Sequence, residues 1–229
     1  MTCSFTSPST CVYSATSRAT TCCTITGNIV LFDGEEEAET SIGKIEVRRA
    51  LFGRALNEGE NWFDVLDAVD EEAAEFAPVL ANGTSEYSPR YADNSVCGCD
   101  LLMLHRLQID QPFRGRGYGL AAVHTAISNL SAGCAVFATK PFPLQFSGYL
   151  TTEEQVAGDT AIKDAPRVRQ PDFEVALAKL HKYFACLGME HDGELMTMSL
   201  ARNLRPLREA LIEARRLDLG GEEPTSPVQ

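Results

Sequence analysis

The chain has 229 residues, 44% of them hydrophobic and 23% charged, with a net charge of −12. This is the composition of an ordinary globular domain with one sizeable core. No run of about 18 apolar residues is present to span a membrane, and so acidic a chain is a poor partner for nucleic-acid phosphates. The charge is uneven: residues 33–76 hold fourteen Asp/Glu against four Lys/Arg, whereas residues 101–120 hold three Arg against one Asp. Such a field suits an anionic ligand at the second segment and a cationic substrate near the first, although a solvated acidic face accounts for most of those acids.

Residues 1–27 contain thirteen Ser/Thr and no acid, a composition expected to stay unstructured. Asn28–Asp33 reads as a strand, followed by a turn at Asp33-Gly34 and a second strand over Ile42–Val47. Phe63, Leu66, Val69, Ala73, Phe76 and Leu80 recur at helical spacing, so a helix is expected over Trp62–Leu80, weakened at Pro78. Ala81–Cys99 reads as loop. Leu101–Ile109 is an apolar strand, and Cys134–Thr139 is another, stopped by Lys140-Pro-Phe-Pro143 because proline cannot pair in a ladder. Gln145–Pro171 is a long connection. Asp172 can cap a helix carrying Phe173, Leu177, Leu180, Phe184 and Leu187, with Gly188 as its stop. A hairpin then turns at Asp192-Gly193, and Arg205–Arg216 is a short amphipathic helix before a loose tail.

The eight cysteines (Cys3, Cys11, Cys22, Cys23, Cys97, Cys99, Cys134 and Cys186) show no Cys-x-x-Cys spacing, and no zinc-type ligand set is expected. The N-terminus lacks the apolar centre of a secretory signal, so the thiols are read as reduced and the protein as cytoplasmic.

Between the apolar strand and the next helical pattern (Gly117–Leu130) lies Gln108-Ile-Asp-Gln-Pro-Phe-Arg-Gly-Arg-Gly-Tyr-Gly-Leu120. Glycines leave backbone N–H groups uncovered, the following helix aims its positive end at the loop, and Arg114 and Arg116 add forked donors that suit phosphate oxygens. A Walker loop needs Gly-Lys-Ser/Thr, which is missing. A Rossmann loop needs an acid about 20 residues on, and none stands between Asp110 and Glu153.

Arg114-x-x-Gly117-x-Gly119 resembles the pyrophosphate loop of the GNAT superfamily of N-acetyltransferases. Leu101–Asp110 is similar to that family's central strand, Leu120–Leu130 to its next helix, and Leu180–Glu190 to its late helix. The resemblance implies a mixed α/β (α+β) domain over residues 28–202. Its central sheet would be mostly antiparallel, splayed at the cofactor and flanked by helices. The segment 145–171 would be an insertion, and 203–229 a further helix and tail. It implies acetyl-CoA as donor and a primary amine, on a small molecule or a protein, as acceptor; family habit allows a homodimer. The backbone of Arg114, Gly115, Arg116, Gly117, Tyr118, Gly119 and Leu120 would hold the pyrophosphate. The edge at Leu107 and Ile109 would pair with the pantetheine arm.

Transfer also needs a base for the amine and an acid for the thiolate. The family's strand carboxylate aligns with His105, a residue type suited to base work near neutral pH; Asp110 is a second candidate, or a turn former. The family's late-helix Tyr aligns with Phe184, and the Tyr is one place earlier, at Tyr183. One step turns a helical side chain by about 100°, which would face Tyr183 away from the thiol and leave Phe184 against the cofactor or in the core. Leu177 stands where the family has Asn. Lys140 reads as a solvated strand end or a ligand contact, and Cys186 lacks activating neighbours in sequence. Two rival readings follow: a non-catalytic acyl-CoA-binding module, and an interaction protein whose loop is a structural turn.

Overall fold

The computed structural model describes residues 21–32, 39–81, 86–91, 98–144, 171–201 and 204–219. The expectations for residues 1–20, the Asp33-Gly34 turn, the connection 145–170 and the tail beyond 219 lie outside the described residues.

The strands are β1 (Cys22–Phe32), β2 (Glu39–Ala50), β3 (Gly98–Ile109), β4 (Gly133–Thr139), β5 (Glu190–Asp192) and β6 (Leu195–Ser199). They form one open sheet in the order β1-β2-β3-β4-β6-β5. Only β3 and β4 run parallel; the other neighbours are antiparallel. The protein is therefore α+β with a mixed, mostly antiparallel six-stranded sheet. The helices are α1 (Phe52–Glu58), α2 (Trp62–Asp67), α3 (Glu71–Ala74), α4 (Ala77–Leu80), α5 (Tyr118–Leu130), α6 (Pro171–Ala185) and α7 (Leu207–Leu219). Among the described residues no helix is long and apolar enough to cross a membrane.

Each face of the sheet has its own core, because successive strand residues point to opposite sides. Leu102, Leu104, Phe137 and Met196 pack under α5, α6 and α7. Leu101, Met103, Val136 and Leu195 pack under α1–α4, with Phe52, Trp62 and Phe76. Phe52 and Trp62 stack at 4.2 Å between ring centroids, which fixes α1 on α2. Arg49 ties β2 to β3 by donating from Nε and Nη2 to Asp100 Oδ2 at 3.1 and 2.7 Å. The other oxygen of Asp100 accepts from the Gly53 N–H, so α1 is anchored by the same carboxylate.

Three expectations need correction. First, β1 begins at Cys22 rather than Asn28, since Cys22–Gly27, grouped above with the Ser/Thr-rich N-terminus, pair with β2 as an edge strand. Second, the helix expected over Trp62–Leu80 is three short helices. Asp70 is extended, with φ −174°, and its side chain accepts from the Ala73 N–H, so a new helix starts there. Of the expected apolar face, Leu66, Ala73, Phe76 and Leu80 are buried and Val69 packs beside them, while Phe63 is 52% exposed and Trp62 and Val65 are buried in its place. Third, α6 starts at Pro171, which puts Asp172 in the first turn instead of at the cap.

Candidate functional site

β3 and β4 stay paired only as far as Leu104 and Thr139. At that last rung the Thr139 hydroxyl donates to the Leu104 carbonyl at 3.0 Å. Beyond it β4 gives way to Lys140-Pro141, while β3 runs on to Ile109 with β2 on one side. Among the described residues no strand pairs with the other edge over His105–Ile109. The N–H of Asp110 donates to Ile42 O on the β2 side. A trans peptide aims the preceding carbonyl the opposite way, so the Ile109 carbonyl faces the open edge.

The register of β3 against β2 slips once. Glu46 pairs with Arg106 and Val47 with Leu104, leaving His105 as an extra residue. This bulge reverses the alternation. Leu102 and Leu104 face α5, and so do Leu107 and Ile109, which pack at the border of that core. His105 stays on the opposite face with Met103, beside Ala73 and Phe76.

The Arg/Gly loop closes the open edge. Gln111–Phe113 make a single 3-10 turn, and Arg114 folds back so that its Nε donates to Ile109 O at 2.8 Å. Gly115 and Gly117 have φ of 73° and 82°, left-handed values that suit glycine. Gly117 is the N-cap of α5, so no cap side chain serves the first N–H groups, and the first turn holds no acid. A Cβ on Gly119 would lie 3.3 Å from Leu107 Cδ2 and 3.8 Å from the Tyr183 hydroxyl, so helix and strand edge meet closely here. Arg114, Gly115 and Arg116 are exposed, and Tyr118 is half-buried. The C-terminal helix reaches the same place: a Cβ on Gly117 would meet Leu211 Cδ2 at 2.7 Å.

Tyr183 belongs to this loop. Its hydroxyl accepts from the Leu120 N–H at 3.0 Å, inside the first turn of α5. The one-residue offset turns Tyr183 onto the first turn of α5. Phe184, 5% exposed, takes the core position. Cys186 is buried, with its thiol on Lys182 O.

On the other face His105 sits in a charged group. Arg48 Nη2 lies 2.9 Å from His105 Nε2, and Arg48 Nη1 donates to Asp70 Oδ2 at 2.6 Å. Glu72 Oε2 is 3.3 Å from His105 Nδ1, and Glu46 Oε1 is 3.6 Å from Nε2. Together with Ala73, Phe76, Met103 and Leu104, three of these residues (Arg48, Glu72 and His105) line a shallow pocket. The hydrogen bond from His105 holds the Glu72 carboxyl below its ordinary 4.5, against the opposing effect of burial. Burial pushes Asp70 up, but the Ala73 N–H and the Arg48 guanidinium outweigh it and hold Asp70 below 3.8.

These shifts carry a sign. A carboxyl whose folded value is depressed adds stability above its unfolded value and loses it as pH falls through the folded one. The group should thus contribute fully at neutral pH and weaken below the ordinary values of 4.5 and 3.8. Urea midpoints taken between about pH 6 and about pH 3 should fall, and Glu72→Gln should flatten the fall. An unchanged slope in the variant would remove Glu72 from the group.

The sequence reading singled out His105 but not its partners. One trace of them was available: buried Ile45 and Val47 bracket Glu46, so Glu46 and Arg48 share the opposite face of β2. Lys140, read as a solvated strand end, is instead paired with Glu75, and with Glu194 at 3.2 Å. Asp110 is exposed and starts the 3-10 turn. Burial pushes Cys22 and Cys134 up to about 12 and raises Cys99, which makes these three thiols poor nucleophiles. No protein-family model matches the chain, and no curated protein matches it.

Proposed function

We propose that the protein is a GNAT-type N-acyltransferase that moves an acetyl group from acetyl-CoA to a primary amine. One observation carries the reading: the edge of β3 over His105–Ile109, which no described strand pairs, leads directly, through a loop with two left-handed glycines, to an N-terminus of α5 that has no cap side chain. An extended thioester arm can pair with such an edge while its pyrophosphate lies on the helix N–H groups. The backbone from Gly115 to Gly119, with the exposed Arg116, would hold the phosphates, while the Leu120 N–H is taken by Tyr183. Leu107 and Ile109 would flank the arm.

In the reaction the amine lone pair attacks the thioester carbon and the C–S bond breaks. The proton lost by the amine goes to the base, and the thiolate takes one from an acid. His105 is the base in this reading, reaching the gap from the face opposite the loop. Tyr183 is the acid or a phosphate contact in this reading, since its hydroxyl stands at the first turn of α5, where it accepts from the Leu120 N–H. Glu46, Asp70 and Glu72 around His105 favour a cationic acceptor.

A second reading, an acyl-CoA-binding module without turnover, is favoured by one observation: Arg48 already occupies the Nε2 lone pair of His105. Thermal melting with acetyl-CoA, CoA and NADH, followed by an amine panel, tests both. A rise with the two CoA species alone, together with acetylated amine, supports the transferase. A rise without product favours the binding module, and no rise with either CoA species sinks both.

A further inference from the structure

The partners of His105 decide which of its nitrogens can act. A guanidinium only donates hydrogen bonds. With Arg48 Nη2 at 2.9 Å, Nε2 must therefore be the accepting, unprotonated nitrogen. Nδ1 then carries the hydrogen, and Glu72 Oε2 at 3.3 Å is its acceptor. The same guanidinium is held from behind by Asp70 at 2.6 Å, while its Nε has no hydrogen-bond partner and lies 3.7 Å from Glu46. The charged groups that face the imidazole are Glu46 and Arg48 from β2, and Asp70 and Glu72 from the start of α3.

We propose that Glu72 and Arg48 are positioning residues that hold His105 as its Nδ1–H tautomer, making Nε2 the only nitrogen able to take a proton and Arg48 the group an amine must displace to reach it. This rests on the reading of His105 as the base. An incoming ammonium brings the same charge to the same carboxylates, so Asp70 and Glu46 can exchange one cation for the other. After the exchange, the Nε2 lone pair faces the amine, and Glu72 stabilises the imidazolium that forms when the proton arrives.

The test uses the full chain labelled with 15N-histidine at about pH 8.5, where an ordinary imidazole is neutral. Long-range proton–nitrogen correlation reads the tautomer, and His105→Gln assigns the signal among the four histidines. Wild type should show His105 almost wholly as Nδ1–H. Arg48→Met with Glu72→Ala together should return it to a majority of the Nε2–H form that free imidazole side chains prefer. Glu72→Gln, which keeps an acceptor, should hold the wild-type tautomer. The other three histidines report whether each variant is folded. His105 found as Nε2–H in wild type overturns the proposal, and so does a folded double variant with an unchanged tautomer. The tautomer is read without cofactor or turnover. A failed amine screen would therefore end the transferase reading and leave this result standing.

Discussion

Gly117→Glu is expected to abolish any stabilisation by acetyl-CoA and to lower the stability of the free protein by about 1–3 kcal/mol. Two physical causes add. A side chain at φ 82° meets the left-handed penalty of roughly 1–2 kcal/mol, and its Cβ would lie 2.7 Å from Leu211 Cδ2, so α7 must shift. The new carboxylate also stands at the N-terminus of α5, where it competes for the N–H groups an anion would use. Gly115→Ala separates the effects. Its φ is 73°, but a Cβ there meets nothing within 4 Å, so it should lose about 1 kcal/mol and keep the ligand response. Melting curves of both variants with and without acetyl-CoA decide the matter. A folded Gly117→Glu protein that responds like wild type would remove the loop from the site.

The largest loss of stability is expected from Phe137→Ala, about 3–5 kcal/mol. Phe137 is 0% exposed at the middle of β4, a strand buried on both faces, and it fills the core beneath α5. The neighbouring side chains on that face (Leu102, Leu104, Met196 and Met198) are held from other elements and can collapse only in part. A domain of ordinary stability has about 5–15 kcal/mol in total, so the variant should unfold at much lower urea. It should also weaken ligand binding, because β4 forms the wall where β3 loses its partner. A loss below about 1 kcal/mol would mean that the core under α5 repacks freely.

The central elements were legible because their patterns are local. The apolar run of β3, the helical spacing of α5 and the proline stop after β4 each follow from a few adjacent residues, and the hairpin β5–β6 follows from Asp192-Gly193. The edge strand at Cys22–Gly27 was not legible. Its short Thr-Ile-Thr run was masked by the Ser/Thr-rich residues before it, and its pairing with β2 is a long-range cause. The break at Asp70 was hidden for another reason: apolar spacing continues across it, and a carboxylate cap overrides periodicity.

The candidate site divides along the same line. Gly115, Gly117 and Gly119 announce a loop that approaches something closely, and the structure has that shape. The surroundings of His105 depend on one extra residue in β3 and on the cap at Asp70, so neither Arg48 nor Glu72 could be placed from spacing. Angular reasoning separated Tyr183 from Phe184, and the structure shows what the two positions meet: Phe184 fills the core, and Tyr183 looks onto the start of α5.

The contact between Leu211 and Gly117 also orders events in time. A ribosome makes the loop long before it makes the helix that rests on it. Domains fold as units while the chain emerges at about 5–20 residues per second. During that interval β1–β4 and α5 can assemble with the loop uncovered on one side. Under the proposed function, competence for acetyl-CoA would then arrive as a late step of synthesis, when α7 docks. Nascent chains released at lengthening intervals could be assayed for the moment at which CoA first protects them from protease.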